Sequence, residues 1–133
     1  MTKAGIYIHI PFCKTKCIYC DFYSVTKRDD SIENFVDCMV NEIKLNKKRL
    51  KDTSYDTIFF GGGTPSVLTE HQLEKILNAL YKFYNIDKNA EVTLECNPGE
   101  ITFEKLVHFR KIGINRLSIG FQSFSEKNLK FLG

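Results

Sequence analysis

Gly5-Ile6-Tyr7-Ile8-His9-Ile10-Pro11-Phe12 runs straight into Cys13-Lys14-Thr15-Lys16-Cys17-Ile18-Tyr19-Cys20. The alternation over Ile6 to Ile10 predicts a short strand opening into a loop. That loop carries three of the chain's five cysteines in a C-x3-C-x2-C run. Closely spaced thiolates suit soft iron, and three ligands are one short of a four-cysteine set. A four-iron cluster held by three cysteines leaves one iron open to another ligand. Zinc is the alternative on spacing alone. It usually takes four N or S ligands, often from paired C-x2-C units. His9 is the available fourth ligand, although its place in the strand reads more simply as a side chain on the polar face. Cys38, on a predicted helix, and Cys96 read as small core residues.

Outside this stretch the composition bounds the possibilities. The 133 residues allow one domain at most, and 43% hydrophobic content is enough to bury a sizeable core. The formal charge of +3 is too small to argue for nucleic acid or an anionic membrane. The basic run Lys44 to Lys51 reads as the solvated end of a helix, where cations are favoured. No apolar run reaches membrane-spanning length, and no basic segment followed by an apolar one opens the chain. An odd number of cysteines with three clustered argues against a secreted disulfide scaffold. A reducing, cytoplasmic setting is expected.

Strand-like and helix-like segments alternate. Ser31 or Asp30 caps a helix with one apolar face, Ile32, Phe35, Val36, Met39, Val40 and Ile43. Thr57 to Phe60 is a second strand, ending at Gly61-Gly62-Gly63-Thr64-Pro65. Thr69 and Gln72 form a capping box for a helix lined by Leu73, Ile76, Leu77, Leu80 and Phe83. Glu91 to Cys96 is a third strand, stopped by Asn97-Pro98-Gly99. A helix from Thr102 ends with Gly113 at its C′ position. Arg116 to Gln122 is a fourth strand, and Ser125 opens a last helix. His71 and His108 fall on predicted helices as surface residues.

Four such units imply an α/β chain with a parallel sheet and right-handed crossovers. Parity chooses among the sheets. Ile6, Ile8 and Ile10 share one face, and Tyr7 and His9 the other. Val92 and Leu94 oppose Thr93 and Glu95. Leu117, Ile119 and Phe121 oppose Ser118, Gly120 and Gln122. A sheet covered by helices on both faces reads apolar throughout. One polar face instead fits a curved, TIM-like barrel wall around a lumen. Chemistry-bearing residues gather near the strands' C-terminal ends, where parallel barrels place their sites. A complete barrel needs roughly 200 residues or more, so residues 1–133 are expected to be the N-terminal half of one, with an open fourth-strand edge.

Three further features have plain alternatives. The glycine triplet reads alone as a flexible turn, and it lacks the Lys of a phosphate-binding loop. At a strand end, however, its bare backbone can approach a ligand closely. Glu95 facing a lumen must be paired or bind a ligand, and an ion pair with Arg116 is the simpler reading. Gln122 reads either as a ligand contact or as polar filler.

Together Tyr7-Ile8-His9-Ile10-Pro11-Phe12-Cys13, Cys17-Ile18-Tyr19-Cys20-Asp21-Phe22, Gly61 to Pro65, Glu95-Cys96-Asn97-Pro98 and Asn115 to Phe124 resemble the radical S-adenosylmethionine (SAM) superfamily. The branch they resemble holds oxygen-independent coproporphyrinogen III oxidase and the HemW-type haem chaperones. The resemblance implies a partial (β/α) barrel in which Cys13, Cys17 and Cys20 ligate a [4Fe–4S] cluster. SAM would chelate the open iron, with Tyr7 and Tyr19 beside cluster and cofactor. Gly62, Gly63 and Thr64 would meet its methionine moiety, and Glu95 and Gln122 would bind elsewhere on it. One electron into the cluster would then cleave SAM to methionine and a 5′-deoxyadenosyl radical. No residue is assigned as catalytic.

The oxidase-type members carry a further cysteine two residues after the third, and here that position is Phe22. The resemblance is therefore to the haem-chaperone branch. It implies haem binding in the full-length protein, an electron donor and a haem-acceptor protein. The oxidase, decarboxylating a porphyrinogen, is the alternative, and a zinc-stabilised interaction module is the other.

Overall fold

The computed structural model describes residues 3–48 and 53–132. Strand β1 (Lys3–Ile10) leads through the cysteine loop to helix α1 (Ile32–Asn46), followed by β2 (Ser54–Gly62) and α2 (Glu70–Phe83). Then come β3 (Asn85–Cys96), α3 (Phe103–Lys111), β4 (Arg116–Ile119) and α4 (Glu126–Leu132). All four strands are parallel and lie in chain order, β1-β2-β3-β4. The α/β wall expected from parity is therefore present. Of the basic run, Lys44 lies in the last turn of α1 and Lys47 and Lys48 are exposed; residues 49–51 fall outside the described residues.

The register explains why one face is greasy. Ile8 lies beside Phe60, Phe60 beside Leu94, and Leu94 beside Leu117, while Ile6, Ile58 and Val92 form the row before it. These rows pack with Val36, Leu73, Ile76, Leu77, Leu80 and Phe109 of the helices in one core. Side chains alternate across a strand, so Tyr7, Phe59 and Thr93 fill a row on the opposite face.

Helix ends follow local chemistry. Thr69 Oγ1 accepts from the backbone N–H of Gln72, and Gln72 Oε1 accepts from that of Thr69, completing the capping box. Thr102 caps α3 through the Lys105 N–H. At its other end the Gly113 N–H donates to Arg110 and the Ile114 N–H to Phe109. This is a Schellman closure, and Gly113 takes the positive φ of 105° that it requires.

Four expectations need correction. β4 stops at Ile119, three residues short of Gln122. Gly120 still donates to the Cys96 carbonyl, but the next bonds join Phe121 to Ile119 and Ser123 to Phe121. The chain there turns on itself rather than along β3. Cys38 is exposed on α1 rather than packed. His108 is partly buried, and its Nε2 is shielded with no hydrogen-bond partner. Ser31 stands at the N-terminus of α1, but its hydroxyl makes no cap bond.

Phe60 is fully buried at the centre of the sheet. Its replacement by alanine removes the middle of the core, and a loss of about 3–5 kcal/mol is expected. Urea denaturation followed by circular dichroism measures it. A loss below about 1 kcal/mol would contradict this packing.

Candidate functional site

The loops after β1, β2 and β3, and the turn after β4, border a half-open cavity of about 530 Å³. Its wall contains Cys13, Cys17, Cys20, Tyr7, Tyr19, Gly62, Gly63, Thr64, Glu95 and Gln122. Residues spread over 116 positions thus meet because parallel strands deliver their C-terminal ends to one side. Asn97 and Lys16 also line it.

The cysteine loop is pinned at both ends. The Cys13 N–H donates to the Val25 carbonyl at 2.9 Å, and the Val25 N–H to Pro11 at 2.7 Å. Lys16 Nζ donates to the Phe22 carbonyl and to Ser24 Oγ, each at 2.8 Å. The Gly63 N–H donates to the Ile10 carbonyl and the Thr64 N–H to that of Phe12, both at 2.8 Å, tying the loop to the end of β2. A Cβ on Gly63 would lie 2.7 Å from the Phe12 carbonyl oxygen and 3.0 Å from Cys13 Sγ. The third glycine is therefore a packing requirement as well as a turn. Gly62 adopts a φ of 114°, and a Cβ there would strike the His9 ring at 2.7 Å.

Glu95 Oε2 accepts from the Gly62 N–H at 3.2 Å. Arg116 pairs instead with Glu91, at 3.5 Å. The simple ion-pair reading of Glu95 is therefore not what the fold builds, and the rest of the carboxylate faces the cavity. Desolvation first, and then the Glu95 charge, raise the pKa of Tyr7 above the ordinary phenol value. Tyr19 is raised by desolvation, then by its hydrogen bond to the Cys17 side chain and by the charges of Cys17 and Cys20.

His9 stands apart from the cysteines. Its Nε2 lies 3.1 Å from the Tyr23 carbonyl oxygen, which can only accept, so Nε2 carries the proton. Its Nδ1 then accepts from the Tyr7 hydroxyl at 3.2 Å. Both ring nitrogens are occupied, which removes His9 as a fourth zinc ligand. Gln122 reaches the cavity by a route alternation did not foresee. It has a φ of 56°, in the left-handed region, a conformation costing a non-glycine residue roughly 1–3 kcal/mol.

Among the described residues no three His, Cys, Asp or Glu side chains are gathered closely enough to hold a metal ion. The cysteines share a wall without closing on a point. The donor set nonetheless fits an iron–sulfur cluster: three free, partly exposed thiols on one loop, and a glycine cradle whose space a Cβ would fill. No helix among the described residues is long and apolar enough to cross a membrane.

A parallel β/α wall with a C-x3-C-x2-C loop at the head of its first strand defines a class. Residues 7–133 match the family described as the radical SAM superfamily, and the chain belongs to that family. The heme chaperone HemW of Escherichia coli (strain K12) is 39% identical over 130 residues, covering 97% of this chain and 34% of the relative. The mouse protein named radical S-adenosyl methionine domain-containing protein 1, mitochondrial, is 35% identical over 132 residues, covering 99% and 30%. The solved coproporphyrinogen III oxidase of Escherichia coli, a radical SAM enzyme, superposes with a TM-score of 0.90 at 28% identity, covering 98% of this chain and 30% of that one. The chain thus spans about a third of the length of the relatives it matches.

Sequence reasoning passed over Asn97, read only as a strand stop. Its signal lay in its place, two residues beyond Glu95. Cys96, on the helix-covered face, behaves as the packing residue it was read to be. Burial, chiefly, pushes its thiol up to about 11, with Glu100 and Glu95 adding to the rise and Ser66 and Lys105 opposing it. The neutral thiol therefore favours the folded state below its ordinary value of 9.0, and that contribution is lost as pH rises toward about 11. Iodoacetamide on the metal-free, reduced chain at about pH 8 is expected to label Cys13, Cys17, Cys20 and Cys38 and to spare Cys96 until the chain is denatured. Peptide mass spectrometry reads the pattern, and early labelling of Cys96 would contradict its burial.

Proposed function

We propose that this chain is the cluster- and SAM-binding part of a haem-chaperone-type radical SAM protein working in the cytoplasm. The observation that carries the reading is the single cavity lined by Cys13, Cys17, Cys20, Gly62, Gly63, Thr64, Glu95 and Gln122. Cys13, Cys17 and Cys20 would hold a [4Fe–4S] cluster, which supplies the electron for reductive cleavage of SAM when bound. Gly62 to Thr64 form a short bare wall that lets a ligand's polar groups approach the backbone. Glu95 is held at one oxygen by the Gly62 N–H, so its other oxygen is free to accept from a ligand hydroxyl or amine. Tyr7 and Tyr19 border the same space.

Haem delivery rather than porphyrinogen decarboxylation is favoured by Phe22, which stands where the oxidase branch has its further cysteine. The heme chaperone relatives at 36–39% identity support the same choice. In the whole protein, haem, an electron donor and a haem-acceptor protein are the proposed partners.

Anaerobic reconstitution with iron and sulfide tests the reading. Roughly four irons per chain are expected, with a paramagnetic signal on reduction that SAM perturbs. Cys17→Ser is expected to lose the cluster. Glu95→Ala is expected to keep it and to weaken SAM binding about tenfold or more, the cost of one charge-assisted hydrogen bond. Tight binding of a single zinc, with no cluster signal, would overturn the reading in favour of a zinc-stabilised module.

A further inference from the structure

We propose that Asn97 is a positioning residue that acts through Thr64 on the sulfur of Cys13. Asn97 Nδ2 donates to Thr64 Oγ1 at 3.3 Å, and Thr64 Oγ1 donates to Cys13 Sγ at 3.4 Å. A hydroxyl has one proton and two lone pairs. With a lone pair taken by the Asn97 amide, the Thr64 proton is directed to the sulfur, the one acceptor it has among the described residues.

Two local facts show that this chain of bonds displaces a default arrangement. Thr64 precedes the 3-10 turn Pro65–Val67 and Asn97 precedes the turn Pro98–Glu100. Both are residue types that normally cap such starts with their own side chains. Neither does so: no side-chain cap bond is made at either turn. The two side chains turn toward each other and the cysteine loop instead. Thr64 is nearly fully buried, at 6% exposure, so its hydroxyl has little water to fall back on.

Cys13 is singled out from the other two cysteines by the same architecture. Its N–H is bonded to Val25, and its sulfur lies against the Gly63 cradle. Resting on the cluster reading above, the consequence is electronic. A hydrogen bond to a ligating sulfur draws charge from it and stabilises the more negative, reduced cluster, which raises the reduction potential. Asn97 would thus help set how readily the cluster takes up its electron without touching the cluster itself.

The test is a redox titration of the reconstituted chain followed by electron paramagnetic resonance. Asn97→Ala is expected to shift the midpoint to a more negative potential, and Thr64→Val to shift it at least as far. Thr64→Ser, which keeps the hydroxyl, is expected to stay near the unsubstituted value. The double variant Asn97→Ala with Thr64→Val is expected to shift no further than Thr64→Val alone, because the amide acts only through the hydroxyl. If Thr64→Val does not fold, the same comparison is made with Asn97→Ala in the Thr64→Ser background, where the full Asn97 shift is expected to persist. An unchanged potential in Asn97→Ala, or fully additive shifts in the double variant, would overturn the relay while leaving the cluster intact. Failure of the unsubstituted chain to assemble any cluster overturns the cluster reading and the relay with it.

Discussion

The backbone of Gly63 passes so close to the start of the cysteine loop that no side chain could stand there. Its N–H bonds the Ile10 carbonyl, the Thr64 N–H bonds that of Phe12, and Cys13 Sγ lies 3.0 Å from where a Cβ would be. These contacts extend the β1–β2 ladder beyond both strands. They give the cysteine run from Cys13 to Cys20 a fixed base. Cys13 is placed by that base, while Cys17 and Cys20 are placed relative to it by the loop's own bonds. The Thr64 hydroxyl and the Asn97 amide extend the same base toward β3.

Everything else in the fold supports this junction by dividing the sheet's two faces. Helices α1, α2 and α3 bury Ile8, Phe60, Leu94 and their rows on one side. The hydrophobic gain there is what holds the strands in register. The opposite face is thereby free to carry groups that do not stabilise the fold, among them Tyr7, His9 and Glu95. Even these satisfy one another: His9 is held by Tyr7 and Tyr23, and Glu95 by Gly62.

Much of this was legible beforehand, because it depends on local rules. Alternation placed the strands, and Thr69 with Gln72 and Gly113 placed helix ends through short-range bonds that need no tertiary context. What was misread depended on distant neighbours. β4 was expected to reach Gln122, but only Gly120 finds a further partner on β3 before the chain turns. Cys38 was assigned to the core by residue type, yet its position on α1 falls outside the stripe of Ile32, Val36 and Ile43. His108 was assigned to the surface by residue type as well, yet its ring nitrogen is shielded. Asn97 was read for its backbone, where a strand ends, and its side chain proved the more informative part.

The amino-acid sequence by itself determined the class of this protein. Periodicity sets which face of each strand is apolar, and the motif blocks from Tyr7 to Phe124 carry the family resemblance, since both are properties of neighbouring residues. Only the tertiary structure decided which groups meet. Glu95 bonds Gly62 while Arg116 turns to Glu91, Gln122 enters the cavity through a left-handed turn, and Thr64 bridges Asn97 to Cys13. Those choices rest on distances of a few ångströms between residues up to 84 positions apart in the bonded pairs' combined span from Cys13 to Asn97. No local pattern encodes such distances, because the packing of the whole sheet sets them.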